Sequence, residues 1–198
     1  MYIQITTKCN MTCDHCAFSC TNKGKHMSLA IFRKACDFAS NFDDNIFLGG
    51  GEPTLHPQFE HFLGIALLNS NSESNLGLVT NGTNEKLTLQ LLRLAQEEKI
   101  FCEVSLDNWH DYDMVSDQVR DLATRQKMVS RIDKPMKRGR ATYGINRCAC
   151  ADMLISPEGD VYPCGCKIKK IGNILDPHFN PCCFYNNHEC ELEMEEAQ

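Results

Sequence analysis

Cys9, Cys13 and Cys16 stand in the stretch "KCNMTCDHCAF" with the spacing C-x3-C-x2-C. Thiolates are soft ligands that suit zinc and iron–sulfur centres. A structural zinc site closes its coordination with four ligands, whereas these cysteines come as a set of three. A [4Fe–4S] cluster needs an outer ligand on each of its irons, so a loop with three thiolates leaves one iron open to a substrate or cofactor. Cys20 is the alternative fourth ligand that would turn the same stretch into a zinc site.

The chain has 198 residues and 13 cysteines, and the cysteines gather at its two ends. Cys20 joins the first group. Cys148, Cys150, Cys164, Cys166, Cys182, Cys183 and Cys190 form the second, and only Cys36 and Cys102 lie between. No apolar run approaches the ~20 residues that cross a membrane. The start "MYIQITTKC" lacks the apolar core of a signal peptide. The expected location is cytoplasmic, where thiols stay reduced and serve as ligands rather than as disulfides. Two separated groups therefore predict two metal centres. A net charge of −6 gives no reason for general nucleic-acid affinity. A hydrophobic content of 42% suits one domain with a small appendage.

These cysteines need a frame. Tyr2 to Ile5 alternates as a strand. Ser28 caps a helix whose apolar face is Leu29, Phe32, Cys36 and Ala39. "NIFLGGGEP" reads as a strand ending in glycines, with Pro57 opening a helix that carries Phe59, Phe62, Leu63 and Ala66. "NLGLVTNG" is a third strand, Asn84 begins a helix with Leu87, Leu91 and Leu94, and "IFCEVSLD" is a fourth strand. A weaker helix is expected from about Met114 to Ser130. Strand and helix repeat four times, which predicts parallel strands with right-handed crossovers and an α/β barrel-like fold. Cys9, Gly50, Thr80 and Asp107 each follow a strand, and the carboxyl ends of parallel barrel strands are where chemistry collects. Cys36 on a helix's apolar face and Cys102 beside Val104 read as core.

The three-cysteine loop, with the aromatic His15 before its last cysteine, resembles the signature of the radical S-adenosylmethionine (radical SAM) superfamily. "GGEP" (Gly50 to Pro53), "TNG" (Thr80 to Gly82) and "SLD" (Ser105 to Asp107) match further elements of that family in order. The resemblance implies a partial (β/α) barrel, truncated here. It implies a [4Fe–4S] cluster on Cys9, Cys13 and Cys16 whose open iron binds S-adenosyl-L-methionine (SAM). Reductive cleavage of SAM then yields methionine and a 5′-deoxyadenosyl radical that abstracts hydrogen from a substrate. By the same resemblance, Gly50, Gly51 and Glu52 meet the SAM amino group. Thr80, Asn81, Ser105 and Asp107 meet its carboxylate and ribose, and His15 and Phe18 border its adenine.

From Cys148, ten residues lead to Gly159 and four more to Cys164. This resembles the opening of the SPASM and twitch extensions of radical SAM enzymes, as do "GRA" at Gly139 to Ala141 and "IGNI" at Ile171 to Ile174. "PCCFYNNHEC" departs from a full SPASM run, so one auxiliary [4Fe–4S] cluster is expected. Its ligands would be Cys148, Cys150, Cys164 and either Cys182 or Cys183, with Cys166 and Cys190 in reserve. The chain divides accordingly into a reduced barrel (1–131), a linker (132–147) and a cysteine-rich extension (148–198). Within the extension, Pro157-Glu158-Gly159-Asp160 forms the turn of a β-hairpin. The fifth and sixth barrel strands are expected to be missing or reduced.

Such extensions imply a peptide or protein side chain as substrate and an electron donor such as flavodoxin or ferredoxin. An open barrel side calls for a large substrate, a partner chain or a homodimer to exclude water. The cations Arg131, Lys134, Lys137, Arg138 and Arg140 are candidates for docking an acidic leader peptide or a phosphate-bearing substrate. Asp107, His110, Asp111 and Tyr112 are acid–base candidates by position alone. The competing readings are a small-molecule or nucleotide enzyme, a glycyl-radical activase, and a non-catalytic zinc or electron-transfer protein.

Overall fold

A computed structural model describes residues 1–42, 45–70, 75–145 and 152–180. The chain builds one eight-stranded sheet in the order β5-β4-β3-β2-β1-β6-β7-β8. The strands are β1 (Tyr2–Thr6), β2 (Ile46–Gly50), β3 (Leu76–Thr80), β4 (Phe101–Ser105), β5 (Val129–Ser130), β6 (Leu154–Ile155), β7 (Asp160–Tyr162) and β8 (Gly172–Asn173). β1 to β6 pair in parallel, and β6, β7 and β8 pair antiparallel. Four helices join the parallel strands: α1 (Leu29–Phe42), α2 (Phe59–Asn69), α3 (Glu85–Gln96) and α4 (Asp117–Arg125). The parallel-dominated open sheet is the expected partial barrel. Among the described residues no helix is long and apolar enough to cross a membrane.

Side chains alternate across each strand, so one face packs and the other is free to do chemistry. Ile3, Ile5, Ile46, Leu48, Leu76 and Leu78 pack against Phe32 and Cys36 of α1, Phe59 and Phe62 of α2 and Leu91 of α3. Phe32 and Phe62 stack at the centre, with ring centroids 4.0 Å apart. Cys36 and Cys102 belong to this core, and burial pushes each thiol up to about 12. The opposite face presents Tyr2, Phe47, Gly49, Val79 and Ser105 to a cavity.

The hairpin of the cysteine-rich segment does not stand apart from the barrel. β6 lies in parallel beside β1, with Tyr2 opposite Leu154 and Ile3 opposite Ile155. The boundaries at 131 and 148 thus mark changes of sequence character, and the sheet runs across them. The hairpin turn forms as expected: Gly159 takes φ +83, its N–H donates to the Ser156 carbonyl, and the Ser156 N–H donates to the Asp160 carbonyl.

The stretch from Met114 to Ser130 is not one helix. Ser116 caps α4, its hydroxyl accepting from the Val119 N–H, and the helix ends at Arg125. Lys127 then adopts φ +59, while the Lys127 N–H donates to the Thr124 carbonyl and the Met128 N–H to the Ala123 carbonyl. This is a Schellman stop. It frees Val129 and Ser130 to form β5, the reduced fifth strand, on β4. α3 ends in the same way: Glu98 has φ +58, with Glu98 N–H to Ala95 carbonyl and Lys99 N–H to Leu94 carbonyl. Both left-handed positions carry long charged side chains where glycine is usual, so the stops lack a sequence signal. Glu98→Gly and Lys127→Gly are each expected to stabilise the chain by about 0.5–1 kcal/mol, read as a higher urea midpoint.

Candidate active site

The cysteine loop runs from the end of β1 to α1 and is closed at its base like a hairpin. The Thr7 N–H donates to the Lys25 carbonyl, Cys9 N–H to Thr21 carbonyl and Thr21 N–H to Thr7 carbonyl. Inside the loop, the Cys16 N–H donates to the Cys13 carbonyl, and Ser19 turns at φ +52. Cys9, Cys13 and Cys16 all line one cavity of about 490 Å³ on the free face of the sheet. The thiols surround a shared space, which suits a body with several corners. Backbone N–H groups already point at two sulfurs, from Met11 to Cys9 Sγ at 3.4 Å and from Cys20 to Cys16 Sγ at 3.4 Å. The donor set therefore fits an iron–sulfur cluster.

Burial raises the Cys9 thiol and pushes Cys13 up to about 11. Cys16 lies below its usual range, chiefly because the Cys20 thiol hydrogen-bonds to it, and Cys20 is correspondingly held protonated. Cys20 is buried and borders the same cavity.

The glycine run beside the cysteines is packed tightly by the protein itself. A Cβ on Gly49 would lie 1.9 Å from the Tyr2 hydroxyl, and one on Gly51 would lie 2.3 Å from the Lys8 carbonyl oxygen. The N–H groups of Gly50, Gly51 and Glu52 donate to Tyr2 Oη (2.8 Å), the Thr6 carbonyl (2.9 Å) and the Lys8 carbonyl (2.8 Å).

Glu52 is fully buried, and four donors converge on its carboxylate. Oε1 accepts from Thr54 N–H (3.1 Å), Thr54 Oγ1 (2.6 Å) and Thr80 Oγ1 (2.8 Å), and Oε2 accepts from Asn81 N–H (2.7 Å). Burial raises this carboxyl, and the donors pull it partly back. Glu52 was expected to meet an ammonium; its first duty is to lock the 3₁₀ turn Pro53–Leu55 and the end of β3 onto the end of β2. Oε2, with its single donor, is the oxygen with acceptor capacity left. Asn81 carries the lock onward: Nδ2 donates to Asn10 Oδ1 at 2.9 Å and lies 3.9 Å from Cys9 Sγ. Gly82 completes the turn at φ +77, where a Cβ would strike Val104 at 2.7 Å.

Of the residues expected around SAM, His15, Phe18, Gly50, Gly51, Glu52, Thr80, Asn81 and Ser105 all line the cavity. Asp107 is set back from it. Asp107 Oδ1 accepts from His110 Nδ1 (2.7 Å) and the Trp109 N–H (2.9 Å), and Oδ2 accepts from the Ile132 N–H (3.0 Å). Burial pushes this carboxyl up, but the His110 and backbone hydrogen bonds prevail and hold it below its usual range. Asp107, expected at the ribose, lies behind His110, which does reach the cavity. With Nδ1 bonded to Asp107, Nε2 is the ring nitrogen of His110 left for another partner. The His110 and His15 rings meet edge to face at 4.6 Å. Burial is the main reason the His15 imidazole sits below its usual pKa. His15 Nδ1 is buried and, among the described residues, has no hydrogen-bond partner.

Lys134 of the cationic run also lines the cavity, as do Met136 and Tyr2, which carried no signal of such a role. Arg140 leaves the cationic strip to which its sequence position assigned it: its side chain turns inward onto the carbonyls of Cys13 and Cys20. Cys164 is buried, and Cys166 Sγ lies 3.7 Å from Met136 Sδ. Cys148, Cys150, Cys182, Cys183 and Cys190 lie outside the described residues.

Replacing Glu52 by Gln puts an amide N–H against donors or loses one of four charged bonds. The expected cost is about 1–3 kcal/mol, measured as a lower urea midpoint of the metal-free chain, with Thr80→Val smaller in the same direction.

Comparison with known proteins bears on this geometry. The family model described as the radical SAM superfamily matches residues 3–145. A curated relative from Pyrococcus furiosus, the tungsten-containing aldehyde ferredoxin oxidoreductase cofactor-modifying protein, is 33% identical over 107 residues. That match takes in 49% of this chain and 27% of the relative, so the chain spans well under half of that protein's length. Among solved structures, BtrN in complex with AdoMet and 2-DOIA superposes with a TM-score of 0.60 at 17% identity, covering 99% of this chain and 84% of BtrN. Native anSMEcpe with bound AdoMet and Cp18Cys peptide gives a TM-score of 0.57 at 15% identity, covering 88% and 77%. At these identities the two structures speak for the fold. The matched span holds the cysteine loop, the glycine run, the β3 turn and strands β1 to β5, and on that ground the chain belongs to the radical SAM superfamily.

Proposed function

We propose that this chain is a radical SAM enzyme that takes hydrogen from a peptide or protein side chain. The observation that carries the reading is that three thiols from one loop and the three downstream motifs border a single cavity on the sheet's free face. Cys9, Cys13 and Cys16 hold a [4Fe–4S] cluster with one open iron. When bound, that cluster supplies the electron that cleaves SAM reductively into methionine and the 5′-deoxyadenosyl group that abstracts hydrogen.

The chain's own part is to bind, orient and exclude water. The N–H groups of Gly50, Gly51 and Glu52 are used internally, so this run offers carbonyl oxygens to the SAM ammonium, with Glu52 Oε2 beside them. Thr80, Asn81 and Ser105 face the carboxylate and ribose. His15 and Phe18 flank the adenine, and the unpaired His15 Nδ1 accepts a hydrogen bond there. His110, oriented by Asp107, exchanges a proton with the substrate. Cys164, with Cys148, Cys150 and either Cys182 or Cys183, holds one auxiliary [4Fe–4S] cluster, a reading that rests on spacing alone. Flavodoxin or ferredoxin is the electron donor.

The fold itself does not choose a substrate, since a peptide and 2-DOIA are both bound among its structural neighbours. The peptide reading rests on the open side of the sheet. Among the described residues β5 is two residues long and forms the edge. Lys134 stands at the cavity wall, and Arg131 lines the adjoining surface with Trp109 and Tyr112. A cationic, aromatic rim suits an acidic peptide that covers the opening, and a homodimer or partner chain is the other way to close it. A small-molecule substrate is the second reading, favoured by the half-enclosed shape of the cavity.

Anaerobic reconstitution with iron and sulfide, then dithionite and SAM, is expected to yield 5′-deoxyadenosine, with about eight irons per chain when both clusters form. Alanine at Cys9, Cys13 and Cys16 is expected to abolish that product and leave the other iron in place. Acidic peptides are expected to accelerate SAM cleavage, and Lys134→Glu to reduce the acceleration severalfold. Acceleration by sugars or nucleosides instead would select the second reading, and zinc binding without SAM cleavage would end both.

A further inference from the structure

Arg140 lies in the segment between β5 and β6, 127 residues from Cys13, yet it is bonded to both sides of the cysteine loop. Its Nη1 donates to the Cys13 carbonyl at 2.9 Å, its Nη2 donates to the Cys20 carbonyl, and its backbone N–H donates to the Cys16 carbonyl at 3.0 Å. Gly139 makes this approach possible. It turns at φ +59, and a Cβ there would lie 2.3 Å from the Ala17 carbonyl oxygen and 2.7 Å from that of Cys16. Among the described residues no carboxylate pairs with Arg140. A guanidinium offers its donors in a rigid planar fork, which an ammonium on a flexible stem does not reproduce. Its full positive charge is thus fixed against the loop that bears the three thiols.

We propose that Arg140 is a positioning residue for the iron–sulfur cluster: it clamps the cysteine loop in its ligating shape and, as a fixed cation, raises the cluster's reduction potential. The proposal rests on the assignment of a cluster to Cys9, Cys13 and Cys16. The clamp acts through three carbonyls, so its loss lets the loop open and iron escape. The charge acts through space. Adding an electron to a thiolate-ligated cluster adds negative charge in a low-dielectric pocket, and a nearby cation favours that state.

The two effects separate by substitution. Arg140→Gln removes the charge, and Arg140→Lys keeps it without the two-pronged fork. Each variant is reconstituted anaerobically in the Cys148→Ala, Cys150→Ala, Cys164→Ala background, so that the signal comes from the front cluster. Iron loss to a chelator is timed, and the midpoint potential is found by redox titration followed by electron paramagnetic resonance. Arg140→Gln is expected to lose iron about tenfold faster and to lower the reduced-to-oxidised ratio at fixed poise about tenfold, a shift of about 59 mV to more negative potential. Arg140→Lys is expected to lose iron faster but hold a potential close to that of the parent.

Parent-like iron retention and potential in Arg140→Gln would overturn the proposal. If Arg140→Gln takes up no iron, Arg140→Met, neutral and of similar length, takes its place: a potential about 59 mV more negative than that of Arg140→Lys supports the charge effect, and equal potentials overturn it. A parent chain that takes up no front cluster would instead remove the assignment of Cys9, Cys13 and Cys16.

Discussion

The site depends on one buried carboxylate. Glu52 has no solvent exposure, and its oxygens collect donors from the turn that follows β2 and from the end of β3. A charge in that position is tolerable because four hydrogen bonds meet it. The constraint then spreads. The Asn81 N–H is held by Glu52, the Asn81 side chain reaches Asn10 and Cys9, and the cysteine loop acquires a fixed relation to the strand ends. The ends of three strands move as one body because a single acid ties them.

A second constraint sets where the chemistry can occur. The apolar residues of the strands face the helices in one continuous core. The other face carries Tyr2, Gln4, Phe47, Val79, Glu103 and Ser105, and among the described residues no second layer of helices covers it. Polar groups and thiols can collect there without disturbing the packing that holds the fold together. Asp107 shows the same economy at the far side: it orients His110 and also fixes the Ile132 N–H after β5, so the rim and the candidate acid–base group share one anchor.

Much of this was legible in residue types and spacing. The cysteine loop, the glycine run and the TNG turn announce themselves because each needs a specific residue at a specific place. The first four strands and first three helices follow from apolar periodicity. What stayed hidden depended on geometry that many residues can adopt. Lys127 and Glu98 end helices in a left-handed conformation that glycine would have advertised, and the stop at Lys127 conceals β5. Glu52 looked like a ligand contact because its motif sits beside the cavity, while its partners Thr54 and Thr80 are ordinary residues. Arg140 belongs by composition to a solvated basic stretch, and only the fold reveals its carbonyl partners far away in sequence. The pairing of β6 with β1 is a long-range event that no local pattern encodes.

That last pairing has an implication for how the molecule is made. β1 lies inside the sheet, with β2 on one side and β6 on the other. On the ribosome its first neighbour emerges within some tens of residues, but the second appears only after Ile155 has been synthesised. Until then the strand that leads into the cysteine loop presents a bare edge, the condition that invites pairing with other chains.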